Sequence, residues 1–155
     1  MNESSISEAK PFTNELDFDS NLILGLIGGS IAMLICAVIW GIISYFLEYQ
    51  ISWMAIGVGF LVGLAVKMFG KGKSLIFGVS SGVLSLIGCV LGNYLFYIGI
   101  LSREWEVPFL RVLFGVTLDP ATIIKIFTAG FDFRDLLFYA IAAYVGYQTT
   151  LAKSK

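Results

Sequence analysis

The side chains able to do chemistry in this sequence are few, and nearly all of them stand in stretches too apolar for water. Asn93 is the one strongly polar residue deep in the uncharged run that begins near Ser74. Ser80, Ser81 and Ser85 precede it at helical spacing, and Cys36 and Cys89 stand in separate apolar runs. A serine nucleophile needs a base to take its proton, and the chain has no histidine. A metal centre needs clustered His, Cys or carboxylate ligands, which two distant cysteines do not supply. Proton relays and intramembrane proteases keep ionisable groups inside the membrane, whereas the crossings described below contain no internal Asp, Glu, Arg or His. The glycines lie within helical stretches rather than between a strand and a helix, so no phosphate loop is present. These residues predict a protein without catalytic machinery, cofactor or metal. An interfacial site built from the mixed charges of residues 102–134 stays open.

Asn93 and Ser85 admit two readings. As a polar contact they would touch a substrate or ion within a helical bundle. As structure, Asn93 forms an interhelical hydrogen bond, worth about 0.6 kcal/mol and at most about 2 kcal/mol, and the serines bond back to carbonyls of their own helix. Lys67, near a helix end, can snorkel to the headgroups and reads as an anchor.

The elements that must position these residues follow from composition. Hydrophobic residues are 57% of the 155-residue chain and charged residues 14%, against about 45–50% and about 25% in soluble domains. The expected solvent is the lipid bilayer, and a net charge of -1 gives no reason to propose nucleic acid as a partner. Both cysteines sit in apolar surroundings, where cysteine acts as a small hydrophobe and no disulfide framework is expected.

Residues 1–20 are polar and acidic, with Lys10 the only base and Pro11 a helix breaker, and read as a flexible tail. The acidic start and the long apolar stretch that follows do not fit a signal peptide. "LICA" (34–37) has Ile35 where a lipoprotein cleavage box needs a small residue.

Leu22 to Leu47 is uncharged and would span roughly 39 Å as a helix, more than the roughly 30 Å hydrocarbon core. "EYQ" (48–50) is long enough only for a tight turn, so 51–69 is the return crossing. Further crossings are predicted over 74–101 and 136–151, giving an all-α polytopic protein of four transmembrane helices within a domain of 21–152. Residues 153–155 form a basic tail. Lys67, Lys71, Lys73, Lys153 and Lys155 fall at one side, which marks both termini as cytoplasmic. Tyr45, Tyr49, Trp53, Tyr94, Tyr97 and Trp105 fall at the opposite boundary level. The connection 102–134 is too apolar for a solvated loop and is expected to form two short helices. Asp119 caps the second, Pro120 opens it, and Ile123, Ile124 and Phe127 share one face. This helical hairpin lies in the outer interface, or is re-entrant and shielded by protein.

Small residues recur every fourth position: Ala55, Gly59 and Gly63; Gly25 and Gly29; Gly28, Ala32 and Cys36; Ala37 and Gly41; Gly78 and Gly82; Ser81, Ser85 and Cys89; Gly88 and Gly92; Ala142 and Gly146. Such residues stack on one helix face, and in hydrocarbon it is close backbone approach that draws helices together. The pattern reads as helix-packing faces, with a glycine-lined permeation path as the alternative and a homo-oligomer as a use for surplus faces. Gly29, Ala32 and Cys36 also align with Gly82, Ser85 and Cys89 at one constant offset, a short internal match.

"YQISWMAIGVGFLVGLAV" (49–66) and "DLLFYAIAAYVGYQ" (135–148) resemble stretches of a group of small bacterial four-helix inner-membrane proteins of unassigned function. In that group a Trp-Met-Ala lead-in precedes a glycine-spaced crossing, and the last helix ends in a Gly-Tyr pair. The resemblance covers residues 22–150 and implies four crossings and a bacterial inner membrane, without an activity or a site. Small fluoride channels and multidrug exporters are similar in size only, since their motifs are missing here. Two functions are therefore expected: a non-enzymatic scaffold or accessory subunit of a membrane complex, or a small oligomeric channel or permease for an uncharged or weakly charged solute. Gly59, Gly63, Ser85 and Asn93 would line the path of the latter.

Overall fold

A computed structural model describes residues 13–48, 53–72, 74–130 and 132–152, with side chains except those of 13–20, 127, 129 and 130. The predicted turn residues Tyr49 and Gln50, the first two residues of the predicted return crossing, Lys73, the 153–155 tail and most of the predicted acidic tail lie outside these. The described residues are all-helical: α1 (Thr13–Leu47), α2 (Met54–Gly70), α3 (Leu75–Glu104), α4 (Phe109–Thr117), α5 (Pro120–Gly130) and α6 (Phe133–Leu151). Two of them carry stretches long and apolar enough to cross a membrane, Asn21–Leu47 and Leu75–Glu104, while Met54–Gly70 is apolar but shorter.

Several boundaries differ from the sequence reading for local reasons. Helix α1 begins at Thr13, inside the expected tail. No proline or glycine lies between Thr13 and Leu24, and acidic residues complement a helix N-terminus. Helix α2 starts at Met54 with Trp53 as its N-cap, and ends at Lys71 in the left-handed region (φ 50°), whose N–H reaches the Lys67 carbonyl. Helix α3 runs past Leu101 because nothing breaks it until Glu106, also left-handed (φ 53°), and the following Pro108. Helix α6 starts three residues early: Asp135 accepts a hydrogen bond from the Asp132 N–H at 3.2 Å, tying down a free N–H at the helix start.

Helices α2 and α3 form a central pair, with α1 packed on both from one side and α6 on both from the other. Contacts fix their directions. Gly29 lies against Leu84, Gly41 against Leu95 and Gly99 against Tyr45, so α1 and α3 run parallel. Gly59 lies against Ala142 and Gly63 against Gly146, so α2 and α6 are also parallel. Gly25 meets Gly70 at one end of the bundle, where the Lys67 ammonium also donates to the Ala152 carbonyl at 2.8 Å. The Phe77 ring is wedged there, 1% exposed, in space that a Cβ at Gly70 or Gly72 would occupy. The main core joins Met33, Cys36, Trp40, Val58, Val62, Val66, Phe77, Cys89, Tyr139 and Ala142.

At the opposite end, α4 and α5 form a smaller cluster on α3. Val112 and Val116 pack on Ile98, with Ile123 and Ile126 beside them. Asp119 caps α5 as expected, accepting from the Ala121 N–H at 3.2 Å and the Thr122 hydroxyl at 2.5 Å. The packed face of α5 is Ile123 and Ile126 rather than Ile123 and Ile124. Ile124 is 62% exposed, and the Phe127 side chain lies outside the described ones.

Candidate functional site

Most glycines of the four long helices lie at contacts where a larger side chain would press on a neighbour, Gly57 being an open exception. A Cβ at Gly63 would stand 2.6 Å from the Gly146 carbonyl oxygen and 2.9 Å from Thr149 Cβ. A Cβ at Gly59 would collide with the Ala142 carbonyl, one at Gly78 with Tyr147, one at Gly82 would press on the Ala143 carbonyl at 3.1 Å, and one at Gly88 on Met33 and Val58. Gly92 accommodates the Trp40 ring, and Gly25 and Gly29 take α2 at Gly70 and Val66. Ala55 is fully buried. The aligned pair Gly29 and Gly82 faces different neighbours, Val66 and Leu84 in one case and Ala143 in the other.

Within this packing lie two polar layers. The first is built on Gly146, where α2, α3 and α6 come together. Ser81 Oγ donates to the Gly146 carbonyl at 2.7 Å and lies 3.1 Å from the Gly78 carbonyl of its own helix. Thr150 Oγ1 bonds to Ser81 Oγ at 2.8 Å and lies 3.0 Å from the carbonyls of Gly63 and Gly146. Ser85 Oγ donates to the Ser81 carbonyl at 2.7 Å. All three hydroxyls are fully buried. Ser85 thus bonds back along its own helix, as a serine in an apolar helix can, whereas Ser81 also bridges to α6. The sequence reading gave Ser81 only the first habit, because its cross-helix acceptor is 65 residues away.

The second layer surrounds Asn93, which is 3% exposed. Its amide Nδ2 donates to the hydroxyl of Tyr139 on α6. The other end of the amide, Oδ1, has no partner among the described residues, and neither do Trp40 Nε1 and Ser44 Oγ. Trp40 packs on Gly92, the residue before Asn93, and Ser44 follows one turn along α1. Three buried polar atoms in this region therefore have hydrogen-bonding capacity to spare among the described residues, which is uncommon, since nearly all buried polar atoms find a partner. Trp40, Ser44 and Tyr139 were not singled out from sequence. A tryptophan in mid-crossing was a visible signal, but tyrosine was read as a boundary residue.

Chemically, the first layer locks helices together by satisfied hydrogen bonds. The second leaves the Asn93 amide oxygen with unused acceptor capacity in a buried position. Cys36 and Cys89 are buried free thiols. Among the described residues, no group of three or more His, Cys, Asp or Glu side chains is placed to hold a metal ion.

No family model matches the chain, and neither a curated protein nor a solved structure matches it.

Proposed function

We propose that the chain is a multi-pass protein of a bacterial inner membrane in which α1, α2, α3 and α6 cross the bilayer. In this reading it serves as a non-enzymatic scaffold or accessory subunit of a membrane complex. The observation that carries the bilayer reading is the outer surface of α1, where Ile23, Ile27, Ile31, Leu34, Val38 and Ile42 are each about half exposed. A contiguous apolar face of that extent is unfavourable in water and ordinary in lipid. Helix α2, with 17 residues, sits at the lower limit of the about 17–25 that span a bilayer. Lys67 and Lys71 share one end of the bundle with the C-terminus of α6, which supports placing both termini on the cytoplasmic side.

On α4 and at its C-cap, Leu110, Phe114 and Leu118 are exposed by 64%, 65% and 83%, four residues apart and away from the face that holds Val112 and Val116. That outward apolar stripe supports the interfacial placement of the hairpin, with lipid on its open side. The scaffold role is supported by the occupied glycine faces: Gly59 and Gly63 contact the α6 backbone and leave no lumen between them.

Purification of the tagged chain from its own membrane under gentle conditions, followed by native mass determination, tests the role. Stoichiometric foreign subunits are the expected result. A homo-oligomer alone would move the weight to the second reading, a channel or permease for a weakly charged solute. The unpartnered atoms of Trp40, Ser44 and Asn93 favour that reading. Asn93→Leu should then change flux in liposomes while assembly is kept.

A further inference from the structure

We infer that the outer groove between α1 and α3 holds one acyl chain of a phospholipid whose headgroup carries a phosphate and a primary ammonium. The inference rests on the bilayer reading proposed above and adds a specific lipid to it.

The groove has a volume of about 390 Å³ and is walled by Val38, Gly41, Ile42, Tyr45, Leu95 and Gly99. Its lining is almost wholly hydrocarbon, and it faces outward on the side that the bilayer reading gives to lipid. Phe109 at the start of α4 and Ser102 also border it. Gly41 and Gly99 let Leu95 and Tyr45 approach closely, which holds α1 against α3 along the floor of the groove. At its Tyr45 end the groove is neighboured by a second pocket of about 250 Å³, which Tyr45 also borders, together with Glu48, Ile100, Arg103 and Glu104. The Arg103 guanidinium lies over the Tyr45 ring, 5.2 Å from its centroid, and pairs with Glu48.

The charges at that mouth select the headgroup. One guanidinium has five N–H donors in a fork suited to phosphate oxygens, and the Arg103 side chain remains 56% exposed. Glu48 and Glu104 flank it with acceptors. An ethanolamine ammonium can donate to these carboxylates while its phosphate faces Arg103. A choline head has no N–H to give them. A glycerol head brings no cation and would add negative charge beside two carboxylates.

The experiment is reconstitution of the full chain into vesicles of equal parts phosphatidylethanolamine, phosphatidylcholine and phosphatidylglycerol, followed by detergent extraction and native mass spectrometry of retained lipid. The expected result is one retained ethanolamine lipid per chain, enriched at least about fivefold over each of the other two. Ile42→Trp, which fills the groove from its exposed rim, and Arg103→Gln should each abolish the enrichment, while Arg111→Gln keeps it. Equal retention of the three lipids, or enrichment that survives both variants, would overturn the assignment. So would cross-linking of Ile42→Cys to a second copy in high yield, which would give the groove to a homo-oligomer. Release of the chain by alkaline carbonate would instead defeat the bilayer reading itself, before any question of headgroup arises.

Discussion

Gly63 on α2 and Gly146 on α6 meet backbone to backbone, so that a single carbon added to the first would lie 2.6 Å from the carbonyl oxygen of the second. Neither partner is the flexible tip of a side chain, and the strain can be relieved only by moving a helix. Gly63→Ala is therefore expected to destabilise the bundle by about 1–3 kcal/mol, the usual cost of overpacking. At Gly57 on the outer face, nothing lies within 4 Å of the added carbon. Gly57→Ala should be neutral, or stabilising by up to about 1 kcal/mol through helix propensity. Reversible unfolding of both variants in mixed micelles checks the contrast, and equal effects would refute the contact.

The Asn93 to Tyr139 hydrogen bond is open to a double-mutant cycle. Tyr139→Phe leaves the Asn93 amide wholly without a partner in the described layer, and a stranded buried group costs more than a bond lost from both sides. The double variant Asn93→Leu with Tyr139→Phe should consequently be less destabilised than the sum of the two singles. The expected coupling is about 0.6 kcal/mol and at most about 2 kcal/mol. Strict additivity in the same unfolding assay would show that the pair does not couple.

Lys71 closes α2 in the left-handed conformation, where a Cβ is strained and glycine is not. Lys71→Gly should raise stability by up to about 1 kcal/mol, the left-handed strain removed exceeding the entropy that glycine adds to the unfolded chain. Lys71→Ala, which keeps the Cβ and removes the charge, should give no such gain. Unfolding midpoints of the two variants decide whether backbone strain is relieved.

Asp119 gives a dependence on pH. The Thr122 hydroxyl, with the Ala121 and Thr122 backbone, holds its carboxyl below the usual value of 3.8. A depressed pKa means that the charged cap stabilises α5 above that value and that this support is lost as pH falls through the lower, folded one. Amide exchange at Ala121 and Thr122 should therefore be slow near pH 5 relative to its intrinsic rate and lose protection in stronger acid. In Asp119→Asn the protection should no longer vary with pH over that range.

The sequence exposed some of this design and hid the rest for physical reasons. Gly59 and Gly63 were legible because a four-residue spacing of small side chains has one structural use in an apolar helix. Their partner was less so, since Ala142 and Gly146 form a sparser pattern in a helix that also carries Tyr139, Tyr144 and Tyr147. The cap at Asp119 and Pro120 was visible because it is local. Tyr139 as the partner of Asn93 was not, because the two are 46 residues apart and nothing in their local sequence encodes the meeting. Ile123 and Ile124 show a third case. Helical periodicity groups neighbouring isoleucines, and only the packing against Ile98 selects Ile123 and Ile126.

The parallel pairing of α2 with α6 also has a consequence in time. Gly63 is synthesised long before Gly146, and at about 5–20 residues per second the interval is on the order of ten seconds. During it, the glycine face of α2 stands open, and any helix with a small-residue stripe could occupy it. The helix that closes this face, α6, leaves the ribosome only after α3, α4 and α5. A chain truncated before α6 should thus be captured by the cell's quality-control proteases or by foreign helices, and supplying α6 as a separate polypeptide should rescue it.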